Sequence, residues 1–162
     1  MDKITLERIE TAHPLLRDEL EQIYKEICSA LKGKAICRFS YVLRTFKEQD
    51  ELFKKRPRVT RAKAGQSYHN YGLAVDIVLI VKENGKVKAV WDTVKDFDGD
   101  GTSDWIEIVA IFKKYKWTWG GEWNFKDNPH FEKTLGFTWQ QLLALHMEGK
   151  VDEAGYVILP KK

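Results

Sequence analysis

The sequence predicts an α+β fold: a small, mostly antiparallel sheet flanked by helices, in a single domain. Three features point to it. Leu16, Leu20, Ile23, Ile27 and Leu31 recur at spacings of three and four, which makes one buried helical stripe. Residues 35–43 and 73–81 are β-branched and aromatic runs of strand length. Asn84-Gly85 is a strong two-residue hairpin signal before a returning strand at 87–91. Helices mixed with hairpin-linked strands, without regular βαβ alternation, are the α+β pattern.

The elements follow in order. Pro14, after His13, sits at a helix start, where a missing N–H costs little. Gly33 ends that helix. After the strand at 35–43, Thr45 caps a second helix over 47–54, and Glu48 completes a capping-box pattern. Residues 55–66 form a polar, basic loop. Beyond the hairpin comes an aspartate-rich loop at 96–104. A helix at 105–115 carries Ile108, Ile111 and Phe112 at helical spacing. A short strand at 116–119 leads into Gly120-Gly121, Phe131 falls on another, and Thr138 caps a last helix through Met147. An apolar tail follows at 157–159.

Composition narrows the function classes. The chain has 162 residues, 43% hydrophobic and 31% charged, which suits one globular domain with one core. No internal repeat or linker divides it, and no separate binding module is expected. A net charge of +3 is too small to argue for nucleic acid. No apolar stretch is long enough to span a bilayer, and the N-terminus lacks the apolar core of a signal peptide. Synthesis in the cytoplasm, no membrane association and a monomer are expected. Lys54, Lys55, Arg56, Arg58, Arg61 and Lys63 form a basic run, read as a solvated loop or as a surface for an anionic polymer. Cys28 and Cys37 make no disulfide framework and are expected as buried free thiols.

The chemistry concentrates in two segments. Ser67-Tyr68-His69-Asn70-Tyr71-Gly72-Leu73-Ala74-Val75-Asp76 and Asp127-Asn128-Pro129-His130-Phe131-Glu132 supply two histidines and a carboxylate. His69, Asp76 and His130 suit Zn²⁺ and leave one coordination position open. Asp127 is a spare carboxylate three residues before His130, and an open zinc with a spare carboxylate is the chemistry of metal-assisted hydrolysis. Asp76 shares a strand face with Ala74 and Val78, so its charge needs a partner. Of the remaining histidines, His13 precedes a helix-starting proline and His146 lies in a last helical turn, both structural contexts.

A second motif is independent of the first. Residues 96–107 fit the EF-hand loop pattern at each defined position, with Gly101 at the sharp turn. Asp96, Asp98, Asp100, the Thr102 carbonyl, Asp104 and Glu107 are the candidate Ca²⁺ ligands. Ser103 departs from the usual aliphatic residue, and the segment before the loop reads as strand or turn, not helix. The expectation is an EF-hand-like loop feeding one exiting helix, acting as a calcium switch.

These residues resemble peptidase family M15, the D-alanyl-D-alanine metallopeptidase superfamily. Its Ser-x-His-x-x-Gly-x-Ala-x-Asp pattern and later histidine are matched at Ser67, His69, Gly72, Ala74, Asp76 and His130. The sequence is most similar to the L-alanyl-D-glutamate endopeptidase branch of phage endolysins. Arg44-Thr45-Phe46-Lys47-Glu48-Gln49, Trp119-Gly120-Gly121-Glu122-Trp123 and His13-Pro14-Leu15-Leu16 add to the match, which spans roughly residues 6–145.

The resemblance implies zinc-dependent hydrolysis of the peptidoglycan stem peptide at the cell wall after release. Asp127 is then the general base, with Glu122 the rival. Arg44 faces the developing oxyanion or a substrate carboxylate, and Ser67 binds substrate backbone or only shapes its loop. Two alternatives stay open. One is a D,D- or L,D-carboxypeptidase or dipeptidase of the same superfamily. The other is a non-catalytic zinc- and calcium-binding module of hedgehog type.

Overall fold

In the computed structural model, which describes residues 1–161, strand β2 (Ala74–Glu83) organises the sheet. Strand β1 (Ala35–Tyr41) runs antiparallel along one edge of it. The other edge is shared by two strands. β3 (Lys86–Val90) covers the far half of β2 through the hairpin, and β5 (His130–Glu132) covers the near half. A two-residue strand β4 (Thr118–Trp119) completes the order β1-β2-β5-β4. The hairpin forms as expected, with Asn84 and Gly85 both at positive φ, 51° and 75°.

The helical stripe is real. α2 (Arg17–Ala30) buries Leu20, Ile23, Tyr24 and Ile27 and packs against α4 (Asp104–Lys114). α4 contributes Trp105, Ile108 and Phe112 to the core. A chain of rings ties helices to sheet. Tyr24 packs edge-on to Phe39 at 5.6 Å, Phe39 meets Phe112 at 6.0 Å, and Phe112 stacks on Phe131 at 4.1 Å. α3 (Phe46–Lys54) has its Thr45–Glu48 capping box, and α5 (Trp139–Met147) has a second box from Thr138 and Gln141. No helix among the described residues is long and apolar enough to cross a membrane.

Besides short 3₁₀ turns, the structure adds one helix and corrects one reading. The addition is α1 (Lys3–Ile9), too short to show periodicity in the sequence. Tertiary bonds hold it. Asp2 pairs with Arg38 on β1 at 2.9 Å, and Thr5 Oγ1 accepts from Phe39 N. The correction concerns the thiols. Cys37 is buried, and burial pushes its thiol up, but Cys28 is exposed. It follows Ile27 in α2, and one residue is a turn of about 100°, enough to leave the buried stripe.

The turn that carries His69 is docked on the N-terminal segment through Gly72. This glycine closes the 3₁₀ turn Tyr68–Tyr71 at φ 70°, in the left-handed region. A Cβ here would lie 2.4 Å from His13 N, whose N–H donates to Gly72 O. His13 is pinned in turn. Its Nε2 donates to Val157 O and its Nδ1 accepts from Leu15 N, so the apolar tail closes over the N-terminal segment. Gly72→Ala is therefore expected to cost at least about 2 kcal/mol from backbone strain and overlap. At this chain length that lowers the thermal midpoint by roughly 4–8 °C. Thermal unfolding followed by circular dichroism checks this, and an unchanged midpoint would contradict the docking argument.

Candidate metal centre

Register brings the two halves of the motif together. In the β2–β5 ladder Asp76 lies directly opposite His130. His69 enters from the 3₁₀ turn just before β2. The result is a single convergence point: Asp76 Oδ1 is 3.1 Å from His69 Nε2 and 3.1 Å from His130 Nδ1. The two imidazoles face each other edge-on at 5.1 Å.

Each ring is oriented from behind. His69 Nδ1 lies 2.8 Å from Val42 O, an acceptor only, so that nitrogen carries the proton and Nε2 presents its lone pair. His130 Nε2 bonds Glu132 Oε1 at 2.8 Å, which turns Nδ1 toward Asp76. Such outer bonds are what hold metal-ligating histidines in place. Glu132, two residues along β5 from His130 and hence on the same face, was not recognised in the sequence, although the spacing was there to be read.

The electrostatics favour a cation at this point. Burial opposes charge on Asp76, but His130 and His69 beside it outweigh burial and hold the carboxyl well below the usual range. Burial likewise opposes charge on His130, yet Asp76 and Glu132 raise it to about 9. A field that favours a proton here also favours a divalent metal, and two imidazole nitrogens plus a carboxylate are a zinc-type donor set. The residues present fit the ion.

Around the convergence point lies a cleft of about 290 Å³. Asp127 and Arg44 line it, as do Ser67 and Tyr41. Burial raises the Asp127 carboxyl above its ordinary value; His130 opposes this and Asp76 adds to it. Asp127 is seated by Gly120, whose carbonyl accepts its N–H at 2.9 Å and whose missing Cβ would lie 2.5 Å from Asp127 O. Glu122 does not line the cleft; it is exposed and pairs with Lys113 at 2.6 Å.

Arg44 Nη2 is 3.9 Å from Asp76 Oδ2, and its guanidinium lies over the Tyr41 ring. Nη1 donates to Gln49 Oε1, while buried Nε has no partner. Tyr41 and Gln49 were missed in the sequence. Gln49 looked like a helix residue and Tyr41 like a strand end; a register shift at the end of β1 leaves Tyr41 beside the cleft. Ser67 Oγ accepts from His69 N, so it shapes the turn as well as lining the cleft.

The acidic loop forms a separate cluster. Asp96, Asp98 and Asp104 bring carboxylate oxygens together, and so do Asp98, Asp100 and Glu107. Asp96 accepts from Gly99 N and Gly101 N, folding the loop around its own carboxylates. Asp104 is fully buried, and its Oδ2, like Glu107 Oε2, has no partner. Ser103 caps α4 by accepting from Ile106 N, which accounts for a polar residue where the pattern has an aliphatic one. The segment entering the loop is not helical.

A family model described as D-alanyl-D-alanine carboxypeptidase, of the M15 peptidases, matches residues 60–133. That span holds His69, Asp76, Asp127 and His130. The peptidoglycan L-alanyl-D-glutamate endopeptidase CwlK of Bacillus subtilis (strain 168) is 44% identical over 125 residues, covering 70% of this chain and 73% of that protein. With a relative of that identity and coverage, the chain belongs to the M15 family of peptidases.

Proposed function

We propose that this protein is a zinc-dependent peptidoglycan endopeptidase that hydrolyses the L-alanyl-D-glutamate bond of the stem peptide, in the manner of an endolysin. The observation that carries the reading is Asp76 Oδ1 at 3.1 Å from both His69 Nε2 and His130 Nδ1, in a cleft also lined by Asp127 and Arg44. The choice of bond rests on likeness to the Bacillus enzyme. An endopeptidase is favoured over a carboxypeptidase because the cleft continues into an adjoining groove, sharing Val59, Thr60 and Asp127 with it.

When bound by His69, Asp76 and His130, zinc supplies a Lewis acid that activates water and polarises a carbonyl. The chain's own groups do the rest. Asp127, with its carboxyl raised by burial, takes the water proton and returns it to the leaving amine. Arg44, held by Gln49 and Tyr41, offers permanently charged donors to the developing oxyanion. Val42 O and Glu132 keep the two imidazoles aimed.

The 96–107 loop is proposed as a Ca²⁺ site with ligands from Asp96, Asp98, Asp100, the Thr102 carbonyl, Asp104 and Glu107. Unpartnered buried oxygens on Asp104 and Glu107 support it. An effect on activity has a physical route: the loop begins α4, and Phe112 of α4 stacks on Phe131, next to His130.

Mass spectrometry of muropeptides after digestion of purified walls is expected to show new amino-terminal D-glutamate. Release of terminal D-alanine alone would instead make this a carboxypeptidase. Asp127→Ala should keep zinc and lose roughly 10²–10⁴-fold in kcat/KM, whereas Glu122→Ala should stay close to wild type. Steady-state kinetics with metal analysis decides between the two carboxylates.

Calcium binding should depend on pH. Burial, then contact with Asp100 and repulsion from its neighbours, raise the Glu107 carboxyl to about 7 from an ordinary value of 4.5. A raised carboxyl stabilises the calcium-free fold fully below about 4.5, and that stability is lost as pH rises through about 7. Ca²⁺ needs the ionised form. The gain in thermal midpoint on adding Ca²⁺ should therefore grow between pH 5 and 7.5, with zinc content held constant. No gain at either pH would remove calcium from this account.

A further inference from the structure

We infer that the groove beside the cleft holds the stem peptide beyond D-glutamate by its free carboxylates; this rests on the reading of the cleft given above. The groove is about 680 Å³ and is continuous with the cleft through Val59, Thr60 and Asp127. A chain engaged at Asp127 has an uninterrupted path along it.

Charge selects the occupant. Arg58, Arg61 and Lys126 line the groove, and none has a carboxylate within ion-pair distance among the described residues. Elsewhere the chain pairs many of its lysines: Lys113 with Glu122, Lys114 with Glu26, Lys133 with Glu19. The one acid lining the groove is Asp127, already committed to proton transfer.

The guanidiniums are positioned without being consumed. Arg61 lies over the Phe125 ring at 5.6 Å and Arg58 over Phe53 at 5.5 Å. Stacking on a ring face leaves the in-plane N–H fork free for a carboxylate.

The remaining wall is aromatic. Phe125 is 84% exposed. Trp123 packs against His130 at 5.3 Å, so the aromatic wall begins at the metal-site histidine itself. Large exposed rings beside a cleft mark a binding surface. Past D-glutamate, a stem peptide offers matching chemistry: the methylene chain of a diamino acid for the rings, and carboxylates for the cations. A glycan strand, with neutral hydroxyl and acetamido groups, would use the rings and leave the cations without a role.

The test compares two synthetic stem tetrapeptides on the zinc-loaded protein. Both keep the D-glutamate α-carboxylate; beyond it, carboxylates are free in one and amidated in the other. The free acid should have a KM about 10-fold lower at similar kcat, with the advantage lost at high salt. The Arg58→Gln/Arg61→Gln/Lys126→Gln variant should raise the KM of the acid to that of the amide and leave the amide's KM in place.

Equal KM values in the wild type, a comparison that needs no variant, would overturn the inference. So would equal losses on both peptides in the variant. Preference for glycan-linked substrate that Trp123→Ala/Phe125→Ala abolishes, with acid and amide bound alike, would assign the groove to sugar and also overturn it. Cleavage at another bond would overturn the proposed activity alone, because calorimetric Kd values for the same two peptides still read the groove.

Discussion

The pairing of three residues of β2 with three of β5 is the constraint on which the rest depends. It sets Asp76 opposite His130 across an antiparallel ladder. A slip of one residue would send the histidine to the other face of the sheet. The largely buried Asp76 charge would then lose one of its two imidazole partners, a costly loss where little water can replace it. Charge pairing and sheet register thus enforce each other. β5 has only three residues, yet its neighbours fix it: Ile77 N donates to Pro129 O and Lys133 N donates to Leu73 O at the two ends of the pairing.

Around that ladder the molecule divides into a stiff floor and an open mouth. The floor is the ring chain from Tyr24 to Phe131, which joins α2, β1, α4 and β5 into one packed unit. The mouth is built from connections: residues 55–66 on one wall, and residues 120–129 on the other. Reactive groups on loops over a rigid sheet are a common division of labour. Two glycines make it possible here. Gly72 lets the His69 turn meet the backbone at His13, and Gly120 lets the Asp127 segment lie against its own start.

Near-neutral overall charge conceals strong local separation. Five carboxylates crowd residues 96–107, while unpaired cations line the groove beside the cleft. Each cluster repels itself, and each therefore has affinity for an opposite charge from outside the chain. The basic run read in the sequence as either a solvated loop or an anionic-polymer surface becomes specific only in the fold. Of its members, Arg58 and Arg61 line the groove, whereas Arg56 donates to the backbone carbonyls of Phe53 and Lys55.

What the sequence determined by itself is local. The α2 stripe, the Asn84-Gly85 hairpin and the capping boxes at Thr45 and Thr138 follow from periodicity and short-range bonds, which need no distant partner. His69, Asp76 and His130 stood out because histidines are few and these spacings have a chemical use. Asp127 stood out by its place before His130. Tertiary structure alone decided what depends on partners remote in the chain. α1 is held by Arg38 and Phe39, a strand away from its own helix. Cys28 lies exposed because burial depends on which side of a helix faces the sheet. Gln49 and Tyr41 became parts of the site because the Arg44 side chain reaches them. Asp127 and not Glu122 lines the cleft because the backbone folds back at Gly120 and points the two carboxylates to different surroundings. Periodicity records which way a side chain points relative to its own element; only the packing of elements sets what it meets there.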